Sequence, residues 1–534
     1  MSESGVGGAE GAASGAEGTV EGTVGAPFPN PLIPGFNPDP SVVLVDGVYY
    51  LVTSTFEYLP GIPVYRSTDF ETWERIGNVA TRSEQIGVDE VPTGLGVWAP
   101  TIRHHDGLFH VIVSVPAGVG TVVFTAEDPA GPWSDGTVLE DADGAGLQGI
   151  DPDLAWADDG TAYVTYSGLI LSGDAAGEHL GIQQVRVDLA TGRILEEPRS
   201  LWSGTGGGFP EAPHLYHRER DGASGGRWYL LIAEGGTERG HGVSIARGDS
   251  PEGPFETAPT NPFLTARGTT RPVQNTGHGD LVEGPDGSTL LVMLGVRPRG
   301  ATRAFSALGR ETFVTRVSWV DGWPEAEPVA LAPRGPLRDD VDFTGPLDAG
   351  WIGVRRLPSA ISTVEGGSLV IAGEGRTLRH PQPTFVGRRQ LTQTMQASVV
   401  VDVSSGVGGL AVRYDEDTFC AVEAEATGSG TRVTARAVIP SFEQEWSAEL
   451  PAGPVTLALE SERDGGIGFG PGQMTSDFVV LRAEAGGVSR TLARLDGRYL
   501  SAETATSFTG RVLGLYATTG TPVFSDYRFA GTND

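Results

Sequence analysis

Past residue 30 the chain reads as short runs of β-branched and aromatic residues, alternating apolar with polar positions and cut by Gly, Pro, Asp and Asn. The 3.6-residue period of an amphipathic helix is nearly absent, so the pattern predicts an all-β protein. Hairpin signals recur at Asp46-Gly47, Asp106-Gly107, Asp159-Gly160, Gly225-Gly226 and Asp286-Gly287, at spacings of 60, 53, 66 and 61 residues. A second marker (STDFETW, EDPAGPW, DLATGRILEEP, DSPEGPF), centred on Asp69, Asp128, Asp188 and Asp249, repeats at 59, 60 and 61 residues. Two markers sharing one period point to a structural repeat. Five units with room for about four strands each predict a five-bladed β-propeller closing near VSWVDGWP, a better fit than a sandwich, which would not explain the fixed period.

The period stops at LAPRGPLRDD, residues 331 to 340, which reads as a Pro- and Arg-rich linker. Beyond it, alternating runs such as QASVVVDVS and GPVTLALES predict a β-sandwich over 341 to 534, a lectin-like jelly roll of the concanavalin kind. The propeller is thereby bounded at 28 to 330. Residues 1 to 27, rich in Gly, Ala and Glu, read as a disordered tail with neither the basic nor the apolar region of a secretory signal, so a cytoplasmic location is expected.

Composition removes several function classes. Across 534 residues there are 37 basic against 68 acidic side chains, a formal charge of −31, and every basic residue is arginine. No basic footprint for nucleic acid or an anionic membrane is available, and no apolar run approaches the ~20 residues of a membrane span. The one cysteine, Cys420, cannot form an intramolecular disulfide and reads as a buried filler. No GxSxG precedes a helix, no HExxH or paired-Cys motif is present, and the run GTGGG lacks the Lys-Thr of a phosphate loop.

The first strand of each propeller blade lines the central channel, so the residues just before the hairpin signals are the ones to inspect. They are Asp39 in GFNPDPS, Trp98 in VWAPT, Asp151 in GIDPDL, Glu211 in FPEAPHLY and His278 in TGHGDLVE. Any one Asp-Pro pair can be a turn former. Three acids in a common register are better explained by acid and base work on a glycosidic bond, where one carboxyl holds a proton and another is ionised. On this reading a third negative charge nearby raises the proton donor's pKa. No metal is assigned, although Ca²⁺ or a water beside His278 stays open; a calcium cage would want ~6 to 8 oxygens.

NPLIPGFNPDPSVV, YYLVTSTFEYLPGIPVYRSTDFETW, VWAPTIRHHDG, GIDPDL, FPEAPHLY, TGHGDLVE and LGRETF together resemble glycoside hydrolase family 43, in its β-xylosidase and α-L-arabinofuranosidase branch with an appended C-terminal sandwich. The resemblance implies a five-bladed propeller and inverting hydrolysis, with Asp39 as general base, Glu211 as general acid and Asp151 tuning the acid. It also implies substrate-binding roles for Phe56, Trp98, His278 and Arg310. In SFTGRVLGLYA it implies a phenylalanine, Phe508, placed by the sandwich over the site. Two departures touch the leaving-group side: Thr101 stands where the better-known β-xylosidases have aspartate, and TYSGLI where they have a tryptophan.

The expected activity is exo-acting removal of terminal β-1,4-xylosyl residues from xylo-oligosaccharides. α-L-Arabinofuranosidase activity, a carbohydrate-binding protein without catalysis and an endo-acting arabinanase are the alternatives. The expected partner is a small oligosaccharide, with no nucleic acid or membrane, and a homo-oligomer is left open.

Overall fold

The computed structural model describes residues 28–219, 226–300, 304–463, 474–505 and 508–533. The tail read at 1 to 27 and the fourth turn marker at Gly225 lie outside them. The fold is a five-bladed β-propeller followed by a concanavalin-like sandwich, and Pro358–Ile361 is the one α-helix among the described residues.

The inner strands are Ser41–Val45, Trp98–His105, Gly149–Trp156, Glu211–Arg218 and Gln274–Glu283, each opening its own antiparallel sheet. The turn chemistry explains the hairpins. Asp46 and Asp106, at φ 50°, are each followed by a glycine at φ 78°, the pair of left-handed residues a two-residue turn needs to match strand twist. The ring is closed from outside blade five, where the Asn30 side chain bonds the backbone of Val314 and the Asn30 main chain pairs with Ala332.

The stretch read as a linker is not free. Leu337–Val341 is a strand paired with Val523–Gly531 of the sandwich, and Arg334 donates to the carbonyls of Pro31, Leu32 and Glu71. Its alternating pattern is too short to stand out from its Pro and Arg content, and only the partner strand, nearly two hundred residues away, makes it β.

The domains also share backbone. Tyr58–Leu59, in the loop of blade one, pairs with Ile352–Val354 and so forms the edge of the nine-stranded sheet of the sandwich. Behind this seam Arg355, 1% exposed, donates to the Val91 carbonyl at 2.7 Å, the Thr93 hydroxyl at 2.8 Å and the Glu416 carboxylate at 2.9 Å. Cys420 is buried in the sandwich core, and burial pushes its thiol up to about 12.

Candidate active site

Each inner strand enters the channel through the same backbone device. Asp39, Ala99, Asp151, Ala212 and His278 all have positive φ, between 43° and 55°. In the first four blades the next residue is a proline, which keeps its predecessor out of the right-handed helical region. Ladder pairing then skips between Trp98 and Thr101, Ile150 and Asp153, and Glu211 and His214, and it shifts twice in blade five. Such bulges re-aim a side chain, at about 1–3 kcal/mol for each left-handed non-glycine residue. Here they turn one side chain per blade toward a common point.

All eight sequence candidates line one cavity of about 420 Å³: Asp39, Phe56, Trp98, Asp151, Glu211, His278, Arg310 and Phe508. Asp39 accepts from the Ser54 hydroxyl at 2.6 Å and from Arg310 at 3.0 Å, and Arg310 also reaches the Thr237 hydroxyl at 3.1 Å. His278 Nδ1 stands 3.6 Å from the same Asp39 oxygen. Asp151 accepts from the backbone N–H of Ala212 at 3.1 Å, which locks it beside Glu211.

Phe508 is delivered from the sandwich. Its ring lies 6.0 Å from that of Phe56 and 5.9 Å from that of Trp98, with the Arg310 guanidinium carbon 5.4 Å from its centroid. Two glycines let the loops meet. A Cβ on Gly309 would stand 2.4 Å from the Thr509 carbonyl oxygen, and one on Gly510 would stand 2.2 Å from that of Leu308. Phe508 is 41% exposed, so it borders the cavity while facing solvent.

The carboxyls are electrostatically unequal. Burial pushes Asp39 up, but the Arg310 guanidinium above all, with the Ser54 hydroxyl, outweighs it and leaves the group below the usual carboxylate range. Burial and then the Asp39 charge hold Glu211 up at about 7. Asp151 is itself well above the usual range, through burial, then Glu211, then Asp39. A fully ionised Asp151 pressing on a protonated Glu211 is therefore not what the site holds. The two titrate as one system against the charge of Asp39. Burial brings His278 down to about 3 and His241 down to about 4, so both rings are neutral near pH 7.

Several pocket residues carry no marker in the sequence. Phe209, 54% exposed, meets the His179 ring edge-on at 5.2 Å, and His179 Nε2 stands 3.8 Å from Glu211. His241 lines the cavity against Gly277, where a Cβ would come within 2.4 Å of its ring. Below, the channel is closed by Arg103, paired with Asp153 at 2.7 Å and Asp280 at 2.9 Å, and by Tyr216, whose hydroxyl donates to Asp280. Asp153 and Asp280 come two residues after Asp151 and His278, the spacing that puts them on the same strand face one layer down. No group of three or more His, Cys, Asp or Glu side chains among the described residues is arranged to hold a metal ion. Chemically, the cavity offers an ionised carboxylate, a proton-bearing carboxyl pair and a guanidinium within apolar walls.

Comparison with known proteins agrees with this geometry. Residues 28–324 match the description of glycosyl hydrolases family 43, and residues 340–527 match the β-xylosidase C-terminal concanavalin A-like domain. The chain is 35% identical over 522 residues to a non-reducing end α-L-arabinofuranosidase of Bacteroides ovatus, covering 92% of this chain and 91% of that one. A β-xylosidase of Bacillus subtilis is 31% identical over 322 residues, 55% of this chain and 56% of its own. The crystal structure of a xylan β-1,4-xylosidase from Bacillus halodurans superposes with a TM-score of 0.81 at 26% identity, over 94% of this chain and 99% of that one.

Proposed function

That this chain belongs to glycosyl hydrolases family 43, and is a glycosidase, is the premise from which we propose an exo-acting, inverting enzyme that removes one terminal pentose from a short oligosaccharide. The observation that carries the proposal is the electrostatic split within one cavity, with Asp39 below the usual carboxylate range and Glu211 raised to about 7. In the proposed reaction Glu211 gives its proton to the leaving oxygen while Asp39 takes one from a water attacking the opposite face of the sugar. Arg310, fixed by Asp39, binds sugar hydroxyls, and Phe56, Trp98 and Phe508 pack on the apolar face of the ring. A pocket floored by the Arg103 layer and bordered by Phe508 favours a chain end over an interior segment.

For the sugar, a terminal α-L-arabinofuranosyl group is placed ahead of the β-1,4-xylosyl group that the motifs alone put first. The relative spanning nearly the whole chain is named for the former, and Phe209, Leu169 and His179 line the pocket here. The test is a side-by-side assay on aryl α-L-arabinofuranoside and aryl β-D-xyloside, with NMR of the first-formed sugar. We expect the higher kcat/KM on the arabinofuranoside and the inverted anomer from either substrate. A retained anomer would replace single displacement with a covalent intermediate, in which the carboxyls sit only ~5 Å apart.

The raised Glu211 gives a pH prediction. Activity should fall as pH rises past about 7, when Glu211 loses its proton. Burial and then the Asp39 charge raise Glu211, and Asp151 is itself held well above the usual range, so no Asp151 charge is needed for that arm. Asp151→Asn should therefore leave the alkaline arm of the kcat profile near pH 7. A move of that arm toward acid pH by roughly a unit would show instead that Asp151 is ionised and tunes the acid.

A further inference from the structure

A second cavity, of about 390 Å³, lies between the propeller and the sandwich, away from the catalytic carboxyls. Four guanidiniums line it: Arg75 from blade one, Arg334 from the connecting segment, and Arg388 and Arg389 from the sandwich. Arg388 is neutralised by Asp339 at 3.1 Å and Asp348 at 2.9 Å. The other three donate to neutral acceptors: Arg75 to the Asn78 side chain at 2.5 Å, Arg334 to the carbonyls of Pro31, Leu32 and Glu71, and Arg389 to the carbonyl of Phe36 at 2.9 Å. None of these three has a carboxylate within ion-pair distance among the described residues.

Two further atoms point the same way. Arg75 Nε and Arg389 Nη2 are shut off from solvent with no acceptor, and Arg389 is only 7% exposed. A buried charged donor left unmatched costs more than a hydrogen bond returns, so natural folds rarely leave one without a water or an ion. The contrast with the rest of the chain sharpens this. At a formal charge of −31, carboxylates are abundant, yet Asp339, on the wall of this cavity, is engaged by Arg388, and none pairs with the other three arginines among the described residues. Burial, with the neighbouring charges of Arg389 and Arg388, depresses Arg75 to about 10 against the opposing pull of Tyr65 and Asp348. The remaining walls, including Trp73, Leu391, Tyr527 and Phe529, are largely apolar.

We propose that this interdomain cavity is a binding site for a small oxyanion, a phosphate, sulfate or carboxylate carried on a compact molecule, held by Arg75, Arg334 and Arg389. The cavity has room for a sugar-sized group behind the anionic head. Because its walls come from both domains, the bound anion would tie the sandwich to blade one.

The test is calorimetric titration of the full chain with inorganic phosphate, sulfate and D-glucuronate at fixed ionic strength, with chloride as the matched control. Thermal unfolding in the same solutions gives a second readout. We expect saturable binding of at least one probe and a midpoint raised by about 2 °C or more at saturation. The probe arms distinguish an inorganic anion from a sugar acid. Arg75→Gln and Arg389→Gln should each weaken binding about tenfold or more, and turnover of an aryl glycoside reports that each variant is folded. Arg389 also packs on the Phe36 ring at 4.4 Å, so Arg334→Gln is the replacement should Arg389→Gln fail to fold. No saturable binding of any probe up to about 10 mM, or binding undiminished in two folded variants, overturns the proposal.

Discussion

Glu211→Gln is expected to lower kcat on natural oligosaccharides by about 10²- to 10⁴-fold while sparing aryl glycosides whose leaving group departs without a proton. A sugar alkoxide is a poor leaving group and depends on the acid, whereas an activated phenolate does not. The substitution is close to isosteric and leaves the His179 contact and the neighbouring Asp151 in place. On substrates that depend on the acid, the alkaline arm near pH 7 should disappear from the residual activity, since no group that must stay protonated remains. The check is kcat across a series of aryl glycosides of rising leaving-group pKa, for which the variant should show a much steeper dependence than the parent. Equal loss along the whole series would take the acid role away from Glu211.

Asp39→Asn should be as damaging and differ in kind. Every substrate, activated or not, needs the attacking water deprotonated, so activity should fall about 10³-fold or more whatever the leaving group. An amide in this place also leaves Arg310 without its carboxylate, beside the Thr237 hydroxyl and the Phe508 carbonyl. Loss of activity alone would not separate a missing base from a displaced arginine. Azide does separate them, because it attacks without giving up a proton. Rescue by azide with an inverted glycosyl azide product, together with the inverted sugar formed by the parent, assigns the base. A retained azide product would mean that a covalent intermediate still forms without Asp39, and would take the role of activating the attacking group away from it.

How these residues could be read in advance follows from the backbone. The side chain that each blade contributes sits at or just before a left-handed residue, and in four blades that residue is followed by proline: Asp39-Pro40, Ala99-Pro100, Asp151-Pro152 and Ala212-Pro213. A period of about sixty residues then places them in one ring. Phe209, His179 and His241 were not legible because none falls on a repeat marker: His179 opens a strand of blade three, the other two lie in loops, and they become neighbours only through the closed propeller. The strand at Leu337–Val341 and the two-residue pairing at Tyr58–Leu59 were hidden for a related reason. Each is too short to show alternation and is defined by a distant partner. The upward shift of both Asp151 and Glu211 was out of reach as well, since sequence register places carboxyls together without saying how deeply each is buried.

The pairing of Tyr58–Leu59 with the sandwich bears on how such a gene can be cut and rejoined. The seam at the domain boundary is not a hinge where a module can be clipped off, because the first blade has lent a piece of its own loop to the neighbouring sheet. A product ending after the last blade would keep the Asp39, Asp151 and Glu211 ring but carry a naked strand edge, a buried Glu57 that accepts only from its own domain, and an open gap where Phe508 stood. Unpaired edges of that kind recruit other chains. Exchange of sandwiches between relatives would therefore succeed only when residues 56–59 of the propeller travel with the sandwich that pairs with them, which makes this short loop part of the heritable unit of the second domain.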